Sequence, residues 1–354
     1  LKRAGRKDAA IAYIDRVLPQ LTDGPLSDGF VYARVDLGAG ERVLPYLAER
    51  ARSRGGDWSA AYADALKRLR RRDELVAFLN DEAAQPNRTA DALRAIGFLL
   101  LDVGARDDAE RLFRSLAMQH GPASPDAQQL LFIWGPRPGA DRIQWLVERV
   151  RGAVGAQKTQ WLTHLGNTDA NEAAATEALT VLESVYDPAV AAIAGEALVA
   201  LRDKPRLAQV LAAVRKAERD PKRLSAFAHS AEALALTDDA LALFEASAAA
   251  GNVEALAGAG RAALAGGRLS RAIELFAQYF DAGGRSFVAR HAYGDALSGA
   301  QRRDAALRQY AFALEGARAE PAAAESLRVR VLCLIRLGRI AEANPLIREA
   351  LSAR

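Results

Sequence analysis

The sequence predicts an all-α protein, a solenoid of about ten antiparallel helix pairs. Three observations predict it. Half of the 354 residues are hydrophobic, yet only 6% are aromatic, and alanine and leucine dominate. Those two are strong helix formers, whereas sheets favour β-branched and aromatic side chains. The 13 prolines and 27 glycines fall mostly between apolar periodic stretches, where they punctuate helices. One short phrase also recurs, at Gly104–Phe113, Gly267–Phe276 and Gly338–Ile347. Each copy has Gly, a small Ala five residues on (Ala109, Ala272, Ala343), and a large apolar residue four beyond that. The Gly ends one helix in a conformation that Gly adopts cheaply. The Ala lets the next helix lie close, and the large residue fills the gap one turn on.

The elements follow in chain order. Gly5, Ala10 and Ile14 occupy the turn, small and large positions of a half repeat over residues 1–20. Its exposed apolar face, Ile11, Ile14 and Leu18, expects a partner helix, so the chain reads as a fragment of a longer protein. The C-terminus stops at a second helix expected over Pro345–Ala353, with no polar capping helix, which extends that expectation to the other side. Residues 22–220 read as degenerate helix pairs. Short pairs lie at Phe30–Leu37 and Val43–Ala51, and at Trp58–Leu69 and Glu74–Ala83. A clear repeat occupies 90–122, where Leu93, Ile96, Gly97 and Leu100 precede Gly104. Residues 124–152 give two helices around the stiff loop Trp134-Gly-Pro-Arg-Pro-Gly139, which holds out Arg137 as a candidate contact. Residues 156–186 and 188–220 keep the helix–turn–helix rhythm with the phrase mostly lost.

Residues 221–354 hold four clearer repeats, beginning near Pro221, Val253, Phe287 and Ala324. Their first helices carry Leu256, Ala259, Gly260 and Ala263, then Arg290, Tyr293, Gly294 and Leu297 before Ala306 and Tyr310. These offsets, on a period of about 34 residues, resemble the tetratricopeptide repeat family. That resemblance is clearest at 90–122 and 221–354. It implies a right-handed superhelix over the whole chain as a single array, whose concave wall comes mainly from first helices and binds protein partners.

The resemblance also implies where a partner sits, at the second, fifth, ninth, twelfth and thirteenth positions of each first helix. Those are Lys222, Ser225, His229 and Glu232, then Glu254 and Arg261, then His291, Asp295 and Ser298, then Glu325, Arg328 and Arg336. The wall is polar and mixed in sign. It lacks the Asn at ninth positions that family members use to clamp a peptide's terminal carboxylate, which argues against chaperone-tail binding.

The chemistry of a catalyst has no visible constellation, so the protein is expected not to be an enzyme and to need no cofactor or metal. His120, His164, His229 and His291 lie far apart, outside any His-Glu-x-x-His or Cys-x-x-Cys setting. His120 reads as a helix-end imidazole beside Gly121 and Pro122. There is no phosphate-binding Gly-x-x-x-x-Gly-Lys-Ser/Thr and no Gly-x-Ser-x-Gly elbow. The acid pairs Asp107-Asp108 and Asp238-Asp239 open second helices, where carboxylates cap free N–H groups and complement the dipole. Charge is +4, from 48 basic and 44 acidic residues spread along the chain. The densest basic run, Lys67–Arg72, reads as a solvated helix end, not a nucleic-acid face. Cys333 is the single cysteine and leaves the compartment open. No apolar stretch approaches the roughly 18 residues of a membrane span.

These readings point to a noncatalytic protein–protein interaction scaffold. Long degenerate arrays of this composition resemble the periplasmic helical parts of bacterial exopolysaccharide export proteins of the Pel and cellulose type. That resemblance implies an envelope scaffold recruiting protein partners, among them a polysaccharide-modifying enzyme or a secretion component. The alternatives are a cytosolic adaptor or regulator with a peptide or protein partner and, behind it, a helical-repeat RNA binder.

Overall fold

A computed structural model describes residues 6–17, 20, 25–38, 40–321 and 325–352. Among the described residues there are twenty-one α-helices, one 3-10 turn at Gly40–Val43 and no strand. The chain divides inside the Trp134–Gly139 loop into two compact units, Leu1–Gly135 and Pro136–Arg354.

The first unit holds α1 (Lys7–Val17), α2 (Pro25–Asp36), α3 (Leu44–Arg54), α4 (Asp57–Arg68), α5 (Arg72–Ala84), α6 (Ala90–Asp102), α7 (Arg106–His120) and α8 (Pro125–Trp134). Ala10 and Ile14 of α1 are buried against Leu37, with Phe30 and Ala33 of α2 alongside. Gly5 and Leu18 of the expected half repeat lie outside the described residues.

The second unit holds α9 (Ala140–Gly152), α10 (Gly155–Gly166), α11 (Asn171–Leu182), α12 (Pro188–Leu201), α13 (Lys204–Ala217) and α14 (Pro221–Ala233). It continues with α15 (Thr237–Ala249), α16 (Glu254–Ala265), α17 (Leu269–Asp281), α18 (Phe287–Gly299), α19 (Arg303–Ala319), α20 (Ser326–Arg336) and α21 (Ile340–Ser352). In both units a helix packs mainly on its neighbours in the chain and on the helix two along. This quasi-one-dimensional contact pattern is that of stacked helical repeats. The fourth repeat start expected near Ala324 falls on a residue outside the described set, and its first helix begins at Ser326.

One turn geometry recurs between first and second helices. Gly104, Gly267 and Gly338 have φ of 77°, 72° and 72°. The N–H after each reaches back to a carbonyl five residues earlier: Ala105 to Leu100, Arg268 to Ala263, Arg339 to Leu334. That bond closes a Schellman motif and satisfies a helix-end carbonyl. Arg70, Arg202, Ala235 and Gln301 hold the same left-handed position without glycine, with φ of 54–61°. Their following N–H groups make the same backward bond.

Close packing inside a pair rests on small-to-large contacts. A Cβ added at Gly97 would stand 2.7 Å from Phe113, at Gly260 2.7 Å from Phe276, and at Gly294 2.5 Å from Tyr310. Each glycine therefore admits a ring from its own second helix. Tyr62 and Phe78 meet edge-on at 4.8 Å at the same offset in α4 and α5. The predicted small residues Ala109, Ala272 and Ala343 are all fully buried.

Two expectations need correction. The last helix begins at Ile340, because the Schellman turn at Gly338 launches it at once, so Pro345 lies inside it. The acid pairs do not cap, since neither α7 nor α15 has a side-chain cap bond. Asp108 instead accepts from Asn80 at 3.0 Å, Asp238 from Arg268 at 2.6 Å, and Asp239 from Arg215 at 3.4 Å. These residues join successive second helices. His120 ends α7 as expected, and its Nδ1 lies 2.8 Å from Asp126, a fully buried carboxylate that also accepts from Arg94 at 2.7 and 2.9 Å.

Candidate partner-binding wall

The first helices of the second unit aim their exposed faces by the same small-to-large packing. Where Gly260 and Gly294 press against the second helix, the next residue is turned the other way. Those next residues are Arg261 and Asp295, half-buried at the surface. In α12 and α14 the same place, after Gly195 and Ala228, carries Glu196 and His229, both exposed.

The structure brings the predicted wall residues into two clusters. In the first, Glu232 of α14 meets His229 Nδ1 at 2.9 Å and lies 3.6 Å from the Arg261 guanidinium of α16. The His229 ring packs edge-on against Phe244 at 5.0 Å. In the second, Asp295 of α18 is the hub. It accepts from the Tyr310 hydroxyl at 2.8 Å, stands 3.3 Å from Arg336 of α20, and lies 3.4 Å from His291 Nδ1. Arg328 donates to Glu325 at 2.8 Å on the same helix as Arg336. Of the predicted wall residues, His229, Glu232 and Arg261 thus belong to one neighbourhood and His291, Asp295, Arg328 and Arg336 to another.

Burial shapes the chemistry of the second cluster. It pushes the Tyr310 hydroxyl well above its ordinary range, helped by its bond to Asp295. The buried Cys333 thiol is pushed up to about 12 by burial and the Asp295 charge, which disfavours the thiolate at neutral pH. Burial also drives His291 below the usual imidazole range, and Arg336 and Arg328 add to that against the pull of Asp295.

Other predicted positions sit elsewhere. The Glu254 carboxylate accepts from the Tyr279 hydroxyl at 3.1 Å. Lys222 has its backbone N–H capped by Asp220 at 2.9 Å. Arg137 is exposed in its loop, 3.7 Å from Asp169. The basic run is internally matched. Lys67 pairs with Asp102, Arg68 with Asp36 at 2.8 Å and Arg71 with Glu41 at 2.9 Å, while Arg72 donates to the Val103 carbonyl at 2.8 Å.

Sequence reasoning missed the two most exposed aromatics among the described residues of the first unit. Phe98 on α6 is 50% exposed and Phe132 on α8 is 78% exposed. Phe98 directly follows Gly97, the place that carries Arg261 and Asp295 in the second unit, and Phe132 lies one repeat period further on. Among the described residues no group of three His, Cys, Asp or Glu could hold a metal ion. No described helix is long and apolar enough to cross a membrane.

No protein-family model matches the chain, and no curated protein does. Among solved structures it is similar to yeast Tom70, at 13% identity over 98% of this chain and 82% of that one, with a TM-score of 0.36. It is similar to a structure of Naa15/Naa10 bound to HypK-THB, at 14% identity over 98% and 57% of the two chains, with a TM-score of 0.36. It is also similar to the maize pentatricopeptide repeat protein PPR10, at 15% identity over 97% and 56%, with a TM-score of 0.38. The helix pairing described above, not these likenesses, carries the fold assignment.

Proposed function

We propose that the chain is a noncatalytic protein–protein interaction scaffold that holds a partner on the wall formed by α14, α16, α18 and α20. The supporting observation is the Asp295 neighbourhood. Side chains from three helices converge there on one face, and polar groups around an exposed guanidinium are what a partner's side chains engage.

The finer reading places this scaffold in the bacterial envelope, as the repeat region of an exopolysaccharide secretion protein recruiting partners in the periplasm. Its support is the length and degeneracy of the array, together with a wall of mixed charge suited to a protein surface. Partner capture tests the wall. Arg328→Glu with Arg336→Glu should weaken retention of a captured partner at least tenfold, and undiminished retention overturns the wall. Fractionation of cells carrying the full-length protein tests the compartment. A cytosolic pool would overturn the envelope reading and favour an adaptor.

A further inference from the structure

A cavity of about 340 Å³ opens where α9, α10 and α11 meet, outside the helices that form the wall. Val150 and Arg151 of α9, Lys158 of α10, and Glu177, Thr180 and Val181 of α11 line it. Its charges are incompletely matched by the fold. Glu177 is only 6% exposed. Yet both nitrogens that reach it, Arg151 Nε at 2.9 Å and Nη2 at 2.6 Å, donate to the same oxygen, Oε1. Its Oε2 has no donor among the described residues. A buried carboxylate is costly unless its remaining lone pairs are satisfied. Lys158 is half-buried and makes no hydrogen bond or ion pair among the described residues. It lines the same cavity as Glu177 without closing onto it. Arg151 is 63% exposed, and its Nη1 donates to nothing among the described residues.

We infer that this cavity binds a small zwitterion, an α-amino acid with an aliphatic side chain. The pattern of signs selects it. A simple anion meets the Glu177 carboxylate, and a simple cation meets Lys158 and Arg151, so either is set against a like charge. A ligand carrying both charges satisfies both groups. Its ammonium donates to Glu177 Oε2 and to the Thr180 hydroxyl oxygen, whose own hydrogen is already given to the Thr176 carbonyl at 3.0 Å. Its carboxylate accepts from the Lys158 ammonium and from Arg151 Nη1. Its side chain rests on Val150 and Val181.

The lining holds no aromatic ring, so it offers no flat face on which a sugar ring could stack. Its volume falls at the small end of ordinary ligand pockets, roughly 300–1,000 Å³. Bonds between full charges are the strong ones, and here they point at both ends of the ligand. A bound zwitterion bridges three helices at one joint of the array and stabilises that joint by mass action.

The test is titration calorimetry of the whole chain with L-leucine at neutral pH, where a dissociation constant of about 1 mM or tighter is expected. N-acetyl-L-leucine lacks the ammonium and leucine ethyl ester lacks the carboxylate. Each should bind at least about tenfold more weakly than L-leucine. Lys158→Glu should weaken L-leucine by at least about tenfold through the carboxylate, and Glu177→Gln by a similar factor through the ammonium. Glu177 is buried, so where Glu177→Gln disturbs folding the N-acetyl comparison reads the same contact without a substitution.

Absence of binding at tens of millimolar L-leucine overturns the inference. So does N-acetyl-L-leucine or the ethyl ester binding as tightly as L-leucine, since one charge then suffices. Glucose binding as tightly marks a polyol site and overturns it too, as does affinity unchanged by Lys158→Glu. The cavity shares no residue with the wall, so its failure leaves the proposed function standing, and failure of the wall leaves the cavity.

Discussion

Residues 123–220 and residues 221–354 build the same helix pairs with different adhesives. In the C-terminal stretch no charged side chain is buried among the described residues. Fit there is apolar, with Gly260 and Gly294 each admitting the ring of their own second helix. The earlier stretch buries carboxylates. Asp126 is held by Arg94 and His120, Glu177 by Arg151 at 2.6 Å, and Glu218 by Tyr186 at 2.9 Å and Arg223 at 3.0 Å. Its glycines also point elsewhere. A Cβ at Gly166 would meet Ile193, and one at Gly195 would meet Phe227, both in the following pair. A consensus persists where an intrapair fit of one shape is reused. It drifts where particular polar bonds hold each joint.

That contrast can be broken most sharply at the buried carboxylate. Arg94→Ala leaves the buried Asp126 carboxylate with His120 alone and should cost about 3 kcal/mol in urea denaturation. The pH sign follows from Asp126. Burial would raise its pKa, but the bonds from Arg94 and His120 more than reverse this and lower it. Its stabilisation is therefore present above the unfolded carboxylate pKa of about 3.9 and lost as pH falls through the lower folded value. Acid below about pH 4 should remove this part of the stability, and Arg94→Ala should blunt that loss.

The apolar counterpart is Gly260→Ala. It drives a Cβ to 2.7 Å from the buried Phe276 ring and should cost about 2–3 kcal/mol by overpacking. Next come the non-glycine turns. Ala235→Gly and Gln301→Gly relieve left-handed backbone at φ 54° and 61° and should each stabilise by about 1 kcal/mol, read as a raised Tm. The smallest effect has the opposite sign to its C-terminal equivalent. Gly195→Ala meets Phe227 at an ordinary 3.4 Å, so the helix propensity gain should dominate, at about 0.5–1 kcal/mol stabilising. A destabilisation matching that of Gly260→Ala would erase the distinction between the two regions.

The helix pairs were legible because glycine, alanine and aromatic spacing reports backbone approach directly. Gly104, Gly267 and Gly338 marked their turns for that reason. Arg202, Ala235 and Gln301 did not, because nothing in an ordinary side chain advertises a left-handed φ. The wall positions came from the family resemblance, and the structure groups seven of them into two neighbourhoods. Sequence could not show the hub role of Asp295, since its partners Tyr310 and Arg336 arrive from two later helices. Nor could it show Asp126 as buried, because an acid in a helix's first turn looks like a dipole partner. Phe98 and Phe132 were overlooked because aromatic residues on an apolar helix read as core.

The rings that fill Gly260 and Gly294 come from sixteen residues further along the same pair. Each C-terminal pair therefore carries its own closure and borrows only an interface from its neighbours. Under tension such an array gives way in instalments, with each pair of roughly 33 residues releasing about 110 Å of extended chain. An array of this construction can lengthen under load while its unstretched pairs stay folded.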